Sequence, residues 1–283
     1  MQRLYPLFFV FLWSTGFIGA KFGLPYAEPL SFLLTRYGLV IALMTAIALA
    51  TRAPWPAQPA QWLHIAVSGV LVHAVYLGGV FVAIKHGLPA GITALVVGMQ
   101  PLLTAFGAGW LLGERVTARQ WTGLALGFIG VGLVVAGKFG NAPLGPMLIP
   151  ALVALLGITA GTLYQKRFCA QFDLRTGSVI QFVPTALVTA VAVALFEDYR
   201  IEWTGEFLFA LGWLVLVLSL GAISLLNLLI RSGSAVNVAS LFYLTPPTTA
   251  LIAWAIFGEM LTSTAAAGMV LAVSGVYLVA RTK

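Results

Sequence analysis

Apolar residues run along this chain in ten blocks, separated by short clusters of proline, glycine and charge. The blocks lie near Leu4 to Phe22, Leu30 to Ala50, Leu63 to Ile84, Gly91 to Leu112 and Ala118 to Ala136, and then near Met147 to Gln165, Ser178 to Phe196, Phe207 to Ile230, Val236 to Phe257 and Ala265 to Ala280. A bilayer core needs about 20 predominantly apolar residues per helix, so the pattern predicts an all-α membrane protein with ten transmembrane helices. The block from Leu4 leads straight into further spans and reads as the first helix rather than as a signal peptide. Too little sequence separates the blocks for a soluble domain of useful size.

The second half repeats the first. Setting Ala94 to Val134 against Ala239 to Val279, a shift of about 145 residues, puts Pro101 on Pro246, Thr104 on Thr249, Ala105 on Ala250, Gly113-Glu114 on Gly258-Glu259, Thr117 on Thr262, Gly123 on Gly268 and Gly130 on Gly275. Leu and Val would match by composition alone; Pro, Glu and Gly together would not. Five spans per unit is an odd number, so the halves must sit in the membrane with opposite orientation, the inverted-topology repeat common among secondary transporters. The chain divides accordingly into a first five-helix repeat over 1–137, a connection over 138–146 and a second repeat over 147–283.

Composition agrees: 60% of the residues are hydrophobic and 8% charged, against roughly a quarter charged in soluble domains. The net charge of +7 is scattered between the apolar blocks, not gathered on a soluble face, so a nucleic-acid partner is not expected. Its use is topological. One side of the ten-span plan collects Arg3, Arg52, Arg115, Arg119, Lys166, Arg167, Arg175, Arg231, Arg281 and Lys283, the other Lys21, Lys85, Lys138 and Arg200. Basic residues in short loops stay cytoplasmic, which predicts cytoplasmic termini. A single cysteine, Cys169, excludes an internal disulfide or a multi-thiolate metal site, and no metal or cofactor is expected.

The segments ALVVGMQPLLTAFGAGWLLGERVT from Ala94 and ASLFYLTPPTTALIAWAIFGEMLT from Ala239 each combine a small-residue start, a mid-helix proline and a Gly-Glu before the last helix. In this the chain resembles the drug/metabolite transporter superfamily and, within it, the EamA family of ten-span carriers, over nearly its whole length. The resemblance implies a 5+5 bundle around a central cavity that carries metabolites across the bacterial inner membrane, and among such carriers the chain looks most like the YddG-type exporters of amino acids.

Matching interruptions in the two halves are the best sequence pointer to a transporter's site. Pro101 and Pro246 each remove an intrahelical hydrogen bond and leave carbonyls in need of partners, although proline can also merely bend a membrane helix. Met99 and Gln100 adjoin the first of these prolines and Tyr243 the second. On the third span His73, Tyr76 and Val80 share a helical face, with His73 near midplane; a polar group there should face the bundle interior, as a cavity residue or as one satisfied by a neighbouring helix. Trp13 and Ser14 lie at similar depth on the first span, where Trp13 could stack on a substrate ring or pack between helices. The expected substrate residues are therefore Trp13, Ser14, His73, Tyr76, Met99, Gln100, Pro101, Tyr243 and Pro246. Glu114 and Glu259, closing the fourth and ninth spans, are expected by the resemblance as gate or fold elements. Gly123, Gly127, Gly130, Gly268 and Gly275 permit close helix approach, for packing within the bundle or, as a second reading, a homodimer contact.

Enzyme signatures fail on inspection. Gly132 to Lys138 spells GxxxxGK, but Phe139 follows where Ser or Thr should, within a membrane helix. No HExxH, Cys-His cluster or mid-membrane pair of acids appears. With no acid or base expected at the centre of any span, Arg36 being the deepest base and toward the outer end of the second, a neutral or zwitterionic solute such as an amino acid is favoured over phosphates or lipophilic cations. An uncharged drug-like or sugar-like solute, or a membrane sensor or scaffold that transports nothing, are the other readings. His73 is the one candidate proton carrier at midplane, and without a carboxylate partner it is a poor one, which favours facilitated uniport by alternating access.

Overall fold

The computed structural model describes residues 4–88, 90–136, 146, 148–169, 171–258 and 261–281. Ten transmembrane helices account for nearly all of it: α1 (Tyr5–Gly23), α2 (Pro29–Ala50), α3 (Pro59–Lys85), α4 (Ile92–Leu111), α5 (Ala118–Val135), α6 (Leu148–Phe168), α7 (Leu174–Phe196), α8 (Gly205–Ser232), α9 (Ala235–Ile256) and α10 (Ser263–Ala280). Among the described residues α2 to α10 are long and apolar enough to cross a bilayer, and α1 supplies a shorter apolar stretch over Tyr5–Gly16. The protein is a multi-pass membrane protein. The expected connection over 138–146 lies, apart from residue 146, outside the described residues.

The two repeats pack together through equivalent helices. Helices α5 and α10 are repeat equivalents, and they pack together antiparallel, Gly123 facing Gly275 and Gly130 facing Gly268. A Cβ on Gly130 would lie 2.5 Å from the Ala272 nitrogen and 2.6 Å from the Gly268 carbonyl oxygen, so only glycine allows these backbones to meet. The expected close approach thus occurs inside the bundle. Helices α2 and α7 form the second central pair, and there the equivalents Tyr37 and Phe182 touch, ring centroids 5.5 Å apart.

The repeated Gly-Glu and threonine signature has a local explanation. Gly113 and Gly258 adopt left-handed backbone, φ 68° and 66°, which ends α4 and α9 at no steric cost. Thr117 and Thr262 then accept from the Gln120 and Ala265 N–H groups as N-caps of α5 and α10, each worth about 1 kcal/mol. Between them Glu114 Oε1 accepts from the Ala235 N–H (2.9 Å) at the start of α9, a negative charge on a positive helix end. Glu114 therefore joins the two repeats. Glu259 lies outside the described residues.

Two further features shape the interior. Helices α4 and α9 are broken at equivalent points. The first stops at Val97 and restarts at Gln100, the second passes through a 3-10 turn over Leu241–Leu244 before restarting at Thr245, and each new half carries its proline in the first turn, where the missing N–H costs nothing. Helices α3 and α8 wind as π-helix over Val70–Leu77 and Leu214–Ala222, again equivalent positions. Such segments are rare and concentrate at functional sites.

Candidate functional site

A cavity of about 130 Å³ opens beside both breaks. Val97 and Gly98 border it from α4, Phe242, Thr245 and Pro246 from α9, Trp13 from α1, and Tyr76 and Val80 from α3. Its lining is apolar and aromatic with three threonines, Thr93, Thr245 and Thr249, the composition of a small-molecule site. Space of this size would hold several waters or a small organic group. Phe242 meets the Trp13 ring edge-on at 5.3 Å, so three aromatic rings form one wall.

A second cavity of about 40 Å³ borders two of these rings, Trp13 and Tyr76. It shares Trp13, Tyr76 and Val80 with the first and adds Gly16 and Ala20 of α1, Arg36 of α2, and Leu214 and Leu218 of α8. Arg36 is 1% exposed. Its Nε donates to Ser219 Oγ at 3.0 Å, and Ser219 in turn donates to the Leu214 carbonyl within the π-helical turn. Arg36 corrects the expectation of a chargeless interior: it is the eighth residue of α2, about 10 Å along an axis of about 33 Å, nearer midplane than end.

Of the expected substrate residues, Trp13, Tyr76 and Pro246 border the larger cavity. Ser14 stands behind Trp13 and ties α1 to the α9 break, its hydroxyl donating to the Val10 and Thr245 carbonyls at 2.6 and 3.3 Å while Thr249 Oγ1 donates to the Ser14 carbonyl. Gln100, Pro101 and Tyr243 are buried but border neither cavity, and neither the Gln100 amide nor Tyr243 Oη has a hydrogen-bond partner among the described residues. Tyr243 instead fills the notch left by Gly127. Met99, at the break itself, is 37% exposed and outside both cavities; the turn that ends the first half of α4 carries its side chain to the bundle surface. His73 stacks on Phe182, centroids 4.3 Å apart, away from both cavities, because π winding places more residues in each turn than the α-helix and so separates it from the face of Tyr76 and Val80. Thr249 and the Val80 face were visible in the sequence as a repeat match and as helical spacing; Thr245, whose buried hydroxyl has no partner among the described residues, was legible only as the residue before Pro246.

At the bundle end that carries Leu4 and Arg281, side chains link neighbouring helix ends. Lys166 Nζ donates to the Ile230 and Gly233 carbonyls (2.8 and 2.6 Å), Gln165 to Asn227 (2.8 Å) and Gln120 to Asn237 (3.3 Å), beside the Glu114 cap. At the opposite end Glu197 accepts from the Leu30 and Ser31 N–H groups, both at 2.8 Å, capping α2. The acids among these contacts serve helix ends, and no three His, Cys, Asp or Glu gather as a metal site among the described residues.

The description "EamA-like transporter family" matches twice, over residues 4–136 and 145–281, one copy per repeat. The uncharacterized transporter YvbV of Bacillus subtilis is 28% identical over 96% of this chain and 89% of its own length. The uncharacterized inner membrane transporter YedA of Escherichia coli is 26% identical over 92% and 86%, and a probable amino-acid metabolite efflux pump of Salmonella typhimurium is 26% identical over 96% and 92%. A crystal structure 21% identical, covering 98% of this chain and 95% of that one, superposes with a TM-score of 0.80, a likeness of fold.

Proposed function

The chain belongs to the EamA-like transporter family, and from that premise we propose that this transporter exports amino acids, aromatic ones included, from the bacterial cytoplasm. The observation that carries the reading is the larger cavity, set at the paired breaks of α4 and α9 and walled by Trp13, Tyr76 and Phe242. Aromatic walls suit an apolar or aromatic side chain, and the freed backbone and threonine hydroxyls at the breaks suit an ammonium group. The name carried by the Salmonella relative, an amino-acid metabolite efflux pump, points the same way.

Transport would proceed by alternating access. With the terminal end tied by the Lys166, Gln165, Gln120 and Glu114 contacts, the inverted repeats would rock about the broken helices to part these bonds and seal the other end. In the proposed cycle His73 carries no proton, and export follows the solute gradient. A flux screen of purified protein in sealed liposomes across the amino acids tests the proposal: saturable flux of aromatic and other apolar amino acids is expected, whereas flux of sugars or uncharged drug-like solutes alone, or binding with no flux at all, would overturn it.

A further inference from the structure

We infer that Arg36 binds the carboxylate of the transported solute, so that the two cavities form one bipartite site with a guanidinium at one end and an aromatic-walled chamber at the other. The inference deepens the amino-acid reading above by assigning the group that recognises the acid.

A guanidinium inside a bilayer is costly and persists where it is paired or lines a cavity. Arg36 is buried, lines the smaller cavity, and among the described residues makes one hydrogen bond, to Ser219, and pairs with no carboxylate. Five N–H donors in a planar fork leave the two terminal nitrogens for a ligand, and a fork of this kind matches a carboxylate bidentately. The Nε bond to Ser219 fixes the plane of that fork, and Ser219 is itself held by the π-helical turn of α8. The rest of the lining is Trp13, Tyr76, Phe81, Gly16 and aliphatic side chains, which would strengthen one charge-assisted contact by excluding water.

Symmetry sharpens the assignment. Under the repeat, Arg36 corresponds to Gln181, as the touching equivalents Tyr37 and Phe182 at the next position attest. Gln181 donates to Ser68 at 3.2 Å and is buried, so the fold accommodates a neutral amide at this place and packing does not demand an arginine. The charge is present in one repeat alone, the one whose copy faces a cavity. A single guanidinium matches the one carboxylate of an amino acid, whose ammonium falls to the carbonyls and threonine hydroxyls at the breaks, whereas a phosphate dianion would leave one negative charge unmatched in an apolar chamber.

The test compares three probes that share a phenyl group: L-phenylalanine, phenylacetate, which lacks the ammonium, and 2-phenylethylamine, which lacks the carboxylate. Isothermal titration of the purified full-length protein should find both carboxylates binding at least tenfold more tightly than the amine. Arg36→Gln, the residue already tolerated at the equivalent position, should weaken both carboxylates roughly 10- to 100-fold and leave the amine unchanged; Arg36→Lys should fall between. Equal binding of amine and carboxylates, no binding of either carboxylate, or loss of all three probes together in a folded Arg36→Gln would overturn the inference. The wild-type comparison decides even if the variants do not fold. Binding of phenylacetate without flux of any amino acid would uphold the role of Arg36 and refute amino-acid export, while amino-acid flux with no preference for carboxylates would do the reverse.

Discussion

Trp13 and Tyr76 stand with ring planes 11° from parallel and centroids 6.4 Å apart, and both rings border both cavities. They are shared by the proposed carboxylate end and the side-chain chamber. Replacing either by Ala should cut flux of an aromatic amino acid about tenfold while reducing that of alanine by no more than two- or threefold, since the lost contact is with the ring. Flux assays with both substrates check this; equal losses would remove the rings from the side-chain site.

The glycine contacts of α5 and α10 make a stability prediction. Gly130→Ala puts a methyl against the backbone of Ala272 and Gly268 and should cost on the order of 1–3 kcal/mol by overpacking, seen as a lower melting temperature in detergent. Gly38→Ala, in α2 with nothing within 4 Å, should be neutral or slightly stabilising by helix propensity. The opposite order would contradict the packing described.

Glu114 is expected to matter through the α9 terminus it caps. Glu114→Ala removes both the acceptor for the Ala235 N–H and the charge, and should cost roughly 0.5–2 kcal/mol; Glu114→Gln keeps an acceptor and should cost less. Because the contact joins the repeats and Glu114 borders neither cavity, both variants should also change flux rate more than substrate affinity. A shift in affinity alone would place Glu114 with the substrate instead.

The orientation that the basic residues predict, with both termini cytoplasmic, is testable by labelling. Burial pushes the single cysteine, Cys169, up to about 11, so it should react slowly at neutral pH and the wild-type background is quiet. Cysteines replacing the exposed Arg200 and Glu202 should react in intact cells with an impermeant reagent, and those replacing the exposed Gln58 and Gln171 should not. The reverse pattern would overturn cytoplasmic termini.

Much of this was legible in the sequence because membrane helices announce themselves. Every span, the interruptions at Pro101 and Pro246, and a close helix approach at Gly123, Gly130, Gly268 and Gly275 follow from hydropathy, proline chemistry and the repeat, whereas which glycine meets which does not. The site was legible only in part. Arg36 looks peripheral when a span is drawn from its apolar run alone, since the run starting at Leu30 does not reveal that α2 leans its eighth residue into a cavity against Ser219. His73 and Tyr76 share a face only under α-helical spacing, and no residue type in Val70–Leu77 signals the π turn that parts them. Met99 shared sequence proximity with Pro101, but a break turns neighbouring side chains in different directions.

A proton gradient should leave the transport equilibrium unmoved. Liposomes holding equal amino acid on both sides should show no accumulation when a pH gradient is imposed, and His73→Gln should keep downhill flux, since His73 touches neither cavity and stacks on Phe182. Accumulation that a protonophore collapses would refute uniport.

The central claim is that one site, bordered by Trp13, Tyr76 and the two broken helices, is exposed to each side of the membrane in turn. Counterflow measures this directly. Liposomes loaded with unlabelled L-phenylalanine at high concentration and diluted into a trace of labelled L-phenylalanine should take up label transiently above its outside concentration, and the Trp13→Ala variant should lose that overshoot. Label that merely equilibrates without an overshoot in the wild-type protein, or that never enters, would contradict an alternating-access carrier of amino acids.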